Sequence, residues 1–434
     1  MKNNLINFYK ILTLLGILLV SLINKILSND FNSFTDLKSN INNFINLFYL
    51  YNPHIKSYDY LINSNIYNSN SFIYSNSFEY GVSLSNVPYK YILPNPNEPM
   101  SSYNLMYSIT NINKNKIKSN IEYILKQNEI IEYKKLIYIL DSSYQLKKSF
   151  INIYFLNIKK QILQNIIDEF LKLKETISID YTYNKAKLSD ILIIDKEITS
   201  LKREINSIDL EINNYIQIIN SLIPINNLEN KIFNQIQAIQ LEKNIHKNII
   251  PQLYNQLYQL YNNPYLIKIQ KEKELIYYEI YKEDTSKLPD NKFSIEYSIR
   301  PHLDHMLMFK YSIMFENKNI SVNKIKALYE KINSLNAEYQ SKLLQYKSEY
   351  NYIISQLKYI DTLISNIQEE ESKQEKYIKS LLIEYTYNKS KLLNIYLAYK
   401  ELLNIKLQKI ELENQRYNIL VEFQTLRGEI YYYE

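Results

Sequence analysis

Apolar side chains recur at alternating steps of three and four residues between positions 191 and 222. Lys, Glu, Asp and Asn fill the intervening positions, and Pro224 ends the pattern because proline cannot continue a helix. This spacing predicts a coiled-coil helix of about five heptads whose apolar edge packs against another helix. The edge comprises Ile191, Ile194, Ile198, Leu201, Ile205, Ile208, Ile212, Tyr215, Ile219 and Leu222.

A second helical pattern fills the C-terminal third of the chain. No Pro or Gly occurs between Ser321 and Arg427, a span longer than ordinary globular helices. The polar cluster EEESKQEK, from Glu369 to Lys376, is where we expect this helix to fold back as a hairpin. Heptad spacing is kept by Ile325, Ile332, Tyr339, Tyr346, Ile353, Ile360 and Ile367.

Two tracts of the chain are nearly identical. YTYNKAKLSDI, from Tyr181 to Ile191, matches YTYNKSKLLNI, from Tyr385 to Ile395, in eight of eleven positions. A duplication predicts two related helical hairpins packed as a bundle. Biased composition also produces such matches, so both explanations stay open.

Alternating or apolar sequence lies between the two helical regions. KFSIEYSI, from Lys292 to Ile299, and HMLMFKYSIMF, from His305 to Phe315, are separated by RPHLD. Alternation of this kind predicts a small β-hairpin. It either caps the helical bundle or serves as a docking strand.

Residues 30–110 hold most of the turn-forming residues. They lack a lasting period and are rich in Asn, Ser and Tyr, which predicts an irregular, extended segment lying along partner surfaces. The turn formers are Pro53, Gly81, Pro88, Pro94, Pro96 and Pro99.

The N-terminus is apolar from Leu5 to Leu27, with only Lys10 and Lys25 charged. About 20 residues span a bilayer core, so the stretch predicts one transmembrane helix that contacts lipid through residues 5–27. A secretory signal cleaved near Ser28 is the alternative. Basic residues before the span and acidic residues after it predict that the bulk of the chain lies across the membrane.

These patterns together predict a mainly α chain with one N-terminal transmembrane helix, an irregular segment and long antiparallel helical hairpins or coiled coils, with a small β-hairpin insert. The predicted parts are a membrane anchor over 1–29, the irregular segment over 30–110, a helical hairpin over 111–262, a linker with the β-hairpin over 263–320 and a long helical hairpin over 321–434. Two long seams in one chain favour pairing within the chain over pairing between chains.

Composition limits the chemistry. Asn, Ile, Lys, Leu and Tyr dominate, which indicates an AT-rich genome, and the chain has three glycines and no Cys or Trp. Without cysteine there are no disulfides and no thiolate metal sites. Almost no glycine is available for a phosphate-binding loop, and a net charge of +6 with Lys and Glu interspersed does not indicate nucleic-acid binding.

No catalytic constellation occurs, so we expect neither an enzyme nor a resident cofactor. His302, Asp304 and His305 form the only metal-like cluster, and the other histidines are His54 and His246. No spaced partner completes a ligand set, which favours a turn facing water. The acidic run of Glu369, Glu370 and Glu371 is interpreted as an exposed helix face, and Tyr431, Tyr432 and Tyr433 as an interface or membrane-surface cluster.

The apolar start MKNNLINFYKILTLLGILLVSLI, the Tyr, Ile, Leu and Asn bias and the cysteine-free body resemble the Ymf proteins encoded in ciliate mitochondrial genomes. The resemblance implies a non-catalytic accessory subunit of a respiratory complex of the mitochondrial inner membrane, first of all cytochrome c oxidase. Its bulk would then lie in the intermembrane space, with other subunits of the complex as its partners. The alternatives are a secreted or surface coiled-coil protein of an AT-rich apicomplexan parasite and an organellar ribosomal protein.

Overall fold

The computed structural model describes residues 37–74, 77–85, 102–183, 187–224, 257–300, 303–314, 318–386 and 392–431. The chain divides into two compact units. The helical unit comprises the described parts of Met1–Asn52, Ile139–Leu260 and Lys347–Glu434. The sheet unit comprises the described parts of Pro53–Tyr138 and Tyr261–Tyr346.

Apart from one additional helix at the start, the described helices and strands follow one order twice along the chain. The first series is α1 (Leu37–Tyr51), α2 (Pro53–Ser71), β1 (Ser77–Ser85), β2 (Ser102–Asn111), α3 (Lys114–Thr182) and α4 (Leu188–Leu222). The second series is α5 (Pro264–Ser286), β3 (Asp290–Ile299), β4 (Met306–Met314), α6 (Lys318–Thr386) and α7 (Leu392–Leu426). Short 3₁₀ turns lie at Phe72–Tyr74 and Leu257–Asn262.

The two series match in length as well as in order. Helices α3 and α6 each have 69 residues, and α4 and α7 each have 35. The repeated YTYNK tract falls in both series where the longer helix gives way to the shorter one. This agreement supports a true internal duplication, the first of the two explanations left open by the sequence.

The predicted seam of α4 is the buried edge of that helix. Ile194, Ile198, Leu201, Ile208, Ile212 and Ile219 are all buried, as the heptad spacing predicts. Four predicted positions, Ile191, Ile205, Tyr215 and Leu222, are only half-buried, and Ile216 is buried in place of its neighbour Tyr215. Isoleucine is the more apolar of the two neighbours and carries no hydroxyl that needs a partner.

Helix α6 runs through the predicted elbow without a break, so the expectation of a fold-back at residues 369–376 is wrong. The polar cluster forms an exposed helical face instead. Lys373 and Glu369 are ion-paired at 2.7 Å across one turn, an interaction that supports a helix. The helix ends at Thr386, and the chain reverses before Leu392.

Ion pairs show that the helices of each hairpin are antiparallel. Lys160 lies 2.6 Å from Asp209, and Lys174 lies 2.6 Å from Asp195, so successive residues of α3 meet α4 in reverse order. Helices α6 and α7 pair in the same sense through Asp361–Arg416 and Glu371–Lys409. Antiparallel hairpins within one chain are therefore confirmed for the described residues.

The sheet unit contains four antiparallel strands in the order β1-β2-β3-β4. The predicted hairpin of β3 and β4 is confirmed by its register, in which Ile295 is paired with Phe309. The prediction of an irregular segment over 30–110 is wrong where the structure describes it, because α1, α2, β1 and β2 lie there. Pro53 is tolerated because it begins a helix, and Gly81 lies within β1.

None of the helices in the described part of the chain has the length and apolarity needed to cross a membrane. The predicted span over residues 5–27 lies outside the described residues, as do residues 86–101 of the predicted irregular segment.

Candidate functional site

The four strands form a sheet with two chemically different faces. Directly paired residues lie on the same face, and successive residues of a strand lie on opposite faces. The register therefore places every aromatic, Ile, Leu and Val residue of the four strands on one face, with Asn111 and Asn291 at its end, and the methionines on the other. This apolar face comprises Phe78, Tyr80, Val82, Leu84, Tyr103, Leu105, Tyr107, Ile109, Phe293, Ile295, Tyr297, Ile299, Leu307, Phe309, Tyr311 and Ile313.

The apolar face is the exposed one. Tyr80 is 81% exposed, Val82 77% and Phe309 64%, and no residue of this face is buried. Transfer of each such side chain from water to an apolar environment is favourable by about 1.5–3 kcal/mol. An exposed apolar patch of this extent marks a surface that contacts lipid or another protein.

The opposite, polar face holds every buried residue of the strands. Ser108 is fully buried, Asn104 is 2% exposed, and the other buried strand residues are Ser102, Ser294, Glu296 and Ser298. A half-buried sheet in a water-soluble protein places apolar residues inside and polar residues outside. This sheet has the reverse arrangement.

Hydrogen bonds satisfy the polar face. Ser102 Oγ donates to Asn104 Oδ1 at 2.9 Å, and Asn104 Nδ2 donates to Ser83 Oγ at 3.4 Å and to the hydroxyl of Ser85. Ser108 Oγ donates to Glu79 Oε2 at 3.1 Å. Hydroxyl, amide and carboxylate groups therefore line this face in a connected network that links β1 and β2.

Ion pairs also cross the polar face. Lys292 Nζ lies 2.5 Å from Glu79 Oε2, which joins β3 to β1 across the intervening β2. Lys310 on β4 pairs with Glu296 on β3. These four residues are the charged groups in the central part of the described strands.

Helix α3 is fixed to the sheet at the start of β3. Asn113 caps α3 by accepting a hydrogen bond from Asn115 N at 3.0 Å, and its own N–H donates to Asp290 Oδ1 at 2.9 Å. Lys116 Nζ lies 2.8 Å from the other oxygen of Asp290. These contacts fix the start of β3 to the start of α3.

The helical unit contains a buried lysine of α3 that contacts the C-terminal end of α7. Lys147 is fully buried, and its Nζ donates to the backbone oxygen of Glu429 at 3.0 Å and to Gln424 Oε1 at 3.4 Å. Burial lowers the pKa of Lys147 to about 7, against a smaller opposing effect of the Glu429 carboxylate. Gly428, with φ 81°, makes the turn that brings Glu429 into position.

A hydrogen bond joins the ends of the two longest helices. Tyr385 Oη donates to Asp180 Oδ2 at 2.6 Å. Burial and this bond to a carboxylate raise the pKa of Tyr385 to about 12. The contact therefore links the two series of elements next to the repeated tract in each.

Of the metal-like cluster in the sequence, the structure describes Asp304 and His305. Asp304 and His305 are exposed before β4, the His305 ring stacks on Tyr297 with centroids 5.6 Å apart, and His302 lies outside the described residues. No group of three metal-binding side chains occurs within the described ranges. His54 packs edge-on against Tyr138 with centroids 4.4 Å apart, and His246 is outside the described residues.

The fold is similar to that of solved outer-membrane channels. The channel OprN matches with a TM-score of 0.70 at 10% identity, over 89% of this chain and 89% of that chain. VceC from Vibrio cholerae matches with 0.69 at 11% identity over 90% and 96%, and CmeC from Campylobacter jejuni with 0.69 at 14% over 92% and 88%. No family model and no curated protein matches the sequence.

The chain shares its fold with these solved structures. This finding overturns the resemblance to ciliate mitochondrial Ymf proteins and, with it, the function as a respiratory accessory subunit and the location in the mitochondrial inner membrane. The alternative functions, as a parasite coiled-coil protein or an organellar ribosomal protein, are replaced as well. Composition reflects codon usage more than fold, which explains the wrong assignment.

The expectation of a non-enzymatic protein is confirmed by the comparison, because the similar structures are described as channels. The exposed apolar face was not predicted from the sequence, although its signal was present. SFEYGVSLS and SYNLMYSIT alternate between polar and apolar residues as regularly as the hairpin that was recognised.

Proposed function

We propose that the protein is a subunit of an oligomeric outer-membrane channel, a conduit through which solutes cross the membrane without chemical change. The observation that carries this proposal is the inverted sheet, with its apolar face exposed and its polar residues inside. Strands that lie in an outer membrane alternate between apolar lipid-facing residues and polar inward-facing residues. The similarity of fold over about nine-tenths of the chain supports the same function.

Other copies of the chain complete the structure in this proposal. Strands β1 and β4 are the outer strands of the described sheet, and their backbone groups on the open edge need partners. Within lipid, an unpaired N–H or C=O group costs several kcal/mol, so an open edge is not stable there. Pairing of β1 and β4 with strands of neighbouring subunits removes that cost.

The polar face would then line a water-filled passage. Its exposed hydroxyl groups, among them those of Ser83 and Ser312, are suited to contact water and hydrophilic solutes. The apolar face would contact acyl chains, where the exposed aromatic side chains gain the transfer energy that they lack in water.

The test is reconstitution of the full chain into liposomes and planar bilayers. We expect the wild-type protein to float with liposomes and to produce stepwise conductance. Phe309→Arg, on the apolar face, should reduce the floated fraction because a lysine or arginine on the lipid face costs about 2–4 kcal/mol at the membrane centre.

Ser312→Arg is the matched control, because the residue lies on the polar face of the same strand and is exposed. We expect this variant to float like the wild type. Absence of both insertion and conductance in the wild type would contradict the proposal, and so would equal flotation of the two arginine variants.

A further inference from the structure

Charge on the described sheet is confined to the polar face and occurs there only in opposite pairs. Glu79 is paired with Lys292, and Glu296 with Lys310. At the start of β3, Asp290 is paired with Lys116 of α3. Each carboxylate of the described strands therefore has its own lysine, and these strands counted together with Lys116 carry no net charge.

These pairs are accessible to solutes on the polar face. The side chains of Lys310 and Glu79 are 53% and 50% exposed, whereas those of their partners Glu296 and Lys292 are 12% and 23% exposed. Ser108 donates a second hydrogen bond to Glu79, which holds that carboxylate in place. The Glu79 carboxylate and the Lys310 ammonium group are thus exposed to solvent at separate positions on the polar face.

Whether the charged side chains are paired decides whether the wall of the passage attracts ions of one sign. Pores that select by charge present rings of unpaired carboxylates or unpaired basic groups. A carboxylate and an ammonium group a few ångströms apart act as a dipole, whose field falls off faster than that of a single charge. The other residues of this face are uncharged, and they include hydroxyl groups such as Ser83 and Ser294 and the methionines Met106 and Met308.

We propose that these ion pairs make the sheet-lined part of the passage indifferent to the sign of charge. The permeating class is then hydrophilic solutes in general: neutral, zwitterionic, anionic or cationic. This inference rests on the proposed channel function. It names Glu79, Lys292, Glu296 and Lys310 as the residues whose pairing keeps the sheet-lined part of the passage from selecting cations or anions.

The experiment measures the reversal potential of the reconstituted full-length channel in a potassium chloride gradient. We expect potassium and chloride to permeate the wild type almost equally. Lys310→Gln leaves Glu296 unpaired and should raise the ratio of cation to anion permeability roughly threefold or more, whereas Glu296→Gln should change it by a similar factor in the opposite direction.

Two further variants separate charge from structural damage. The double variant Glu296→Gln with Lys310→Gln should return the permeability ratio to that of the wild type, since the wall is again neutral. Lys292→Gln and Glu79→Gln should repeat the opposite shifts at the second pair, which provides the measurement if a variant of the first pair fails to fold.

The results distinguish the two proposals. Absence of conductance from the wild type contradicts the channel function itself. Conductance that is strongly selective in the wild type, or that keeps its selectivity in all four single variants, overturns the inference and leaves the channel function standing.

Discussion

At the scale of single residues, alternate positions along each strand lie on opposite faces of the sheet, and the face decides whether a side chain is exposed or buried. Phe309 is 64% exposed while Glu296, on the neighbouring strand and the opposite face, is 9% exposed. Sequence alternation alone predicts that a strand has two faces but does not say which face is inside. Only the structure shows that the polar residues are the buried ones.

Lys147 provides a test at this scale. Its pKa is about 7 in the folded chain and near 10.5 when unfolded, so the folded state must lose a proton that the unfolded state keeps. Between these two values the unfolded chain binds more protons, and the free energy of unfolding therefore rises with pH. We expect the thermal midpoint to increase between pH 7 and pH 10 by more in the wild type than in Lys147→Met.

The control for this prediction is Lys148→Met. Lys148 is the next residue and is only partly buried, with its ammonium group near the Tyr144 hydroxyl. Its replacement should leave the pH dependence of the midpoint unchanged. Identical pH dependence in the wild type and Lys147→Met would show that the Lys147 amine is not held neutral by burial.

At the scale of elements, heptad spacing predicted the helical hairpins well because each seam is buried by its neighbour in the same chain. Ile332, Tyr346, Ile353 and Ile360 of α6 are buried at their predicted seven-residue intervals. The predicted elbow was wrong because a cluster of polar residues fits the solvent-facing side of a long helix as well as it fits a turn. Strands β1 and β2 were missed because prolines and Asn-rich sequence around them favoured an irregular segment.

A pair of substitutions in α4 tests the buried seam. Ile208 is 1% exposed and Leu210, two residues later, is 67% exposed. Ile208→Ala should lower the free energy of unfolding by about 2–5 kcal/mol because it removes buried apolar atoms and leaves a cavity. Leu210→Ala should change it by less than about 0.5 kcal/mol in the same denaturant titration. Equal losses in the two variants would place the seam elsewhere.

At the scale of the whole molecule, the chain consists of two compact units and matches solved outer-membrane channels in fold over about nine-tenths of its length. The sequence predicted a mainly helical, non-catalytic chain, and these coarse features are correct. The location and partners of the protein were inferred from composition and from the apolar N-terminus. Neither feature contains information on the strand register, which determines the two faces of the sheet. The functional surface follows from cross-strand pairing, a non-local property that heptad and motif analysis does not address.

The central claim is that the apolar face contacts lipid, and the absence of tryptophan from the chain allows a direct measurement. A single tryptophan is introduced by Phe309→Trp on the apolar face or by Ser312→Trp on the polar face of the same strand. Each protein is reconstituted into liposomes with brominated acyl chains, which quench tryptophan fluorescence on contact. We predict strong quenching of Phe309→Trp and little of Ser312→Trp; equal quenching, or none at Phe309→Trp, would contradict the account.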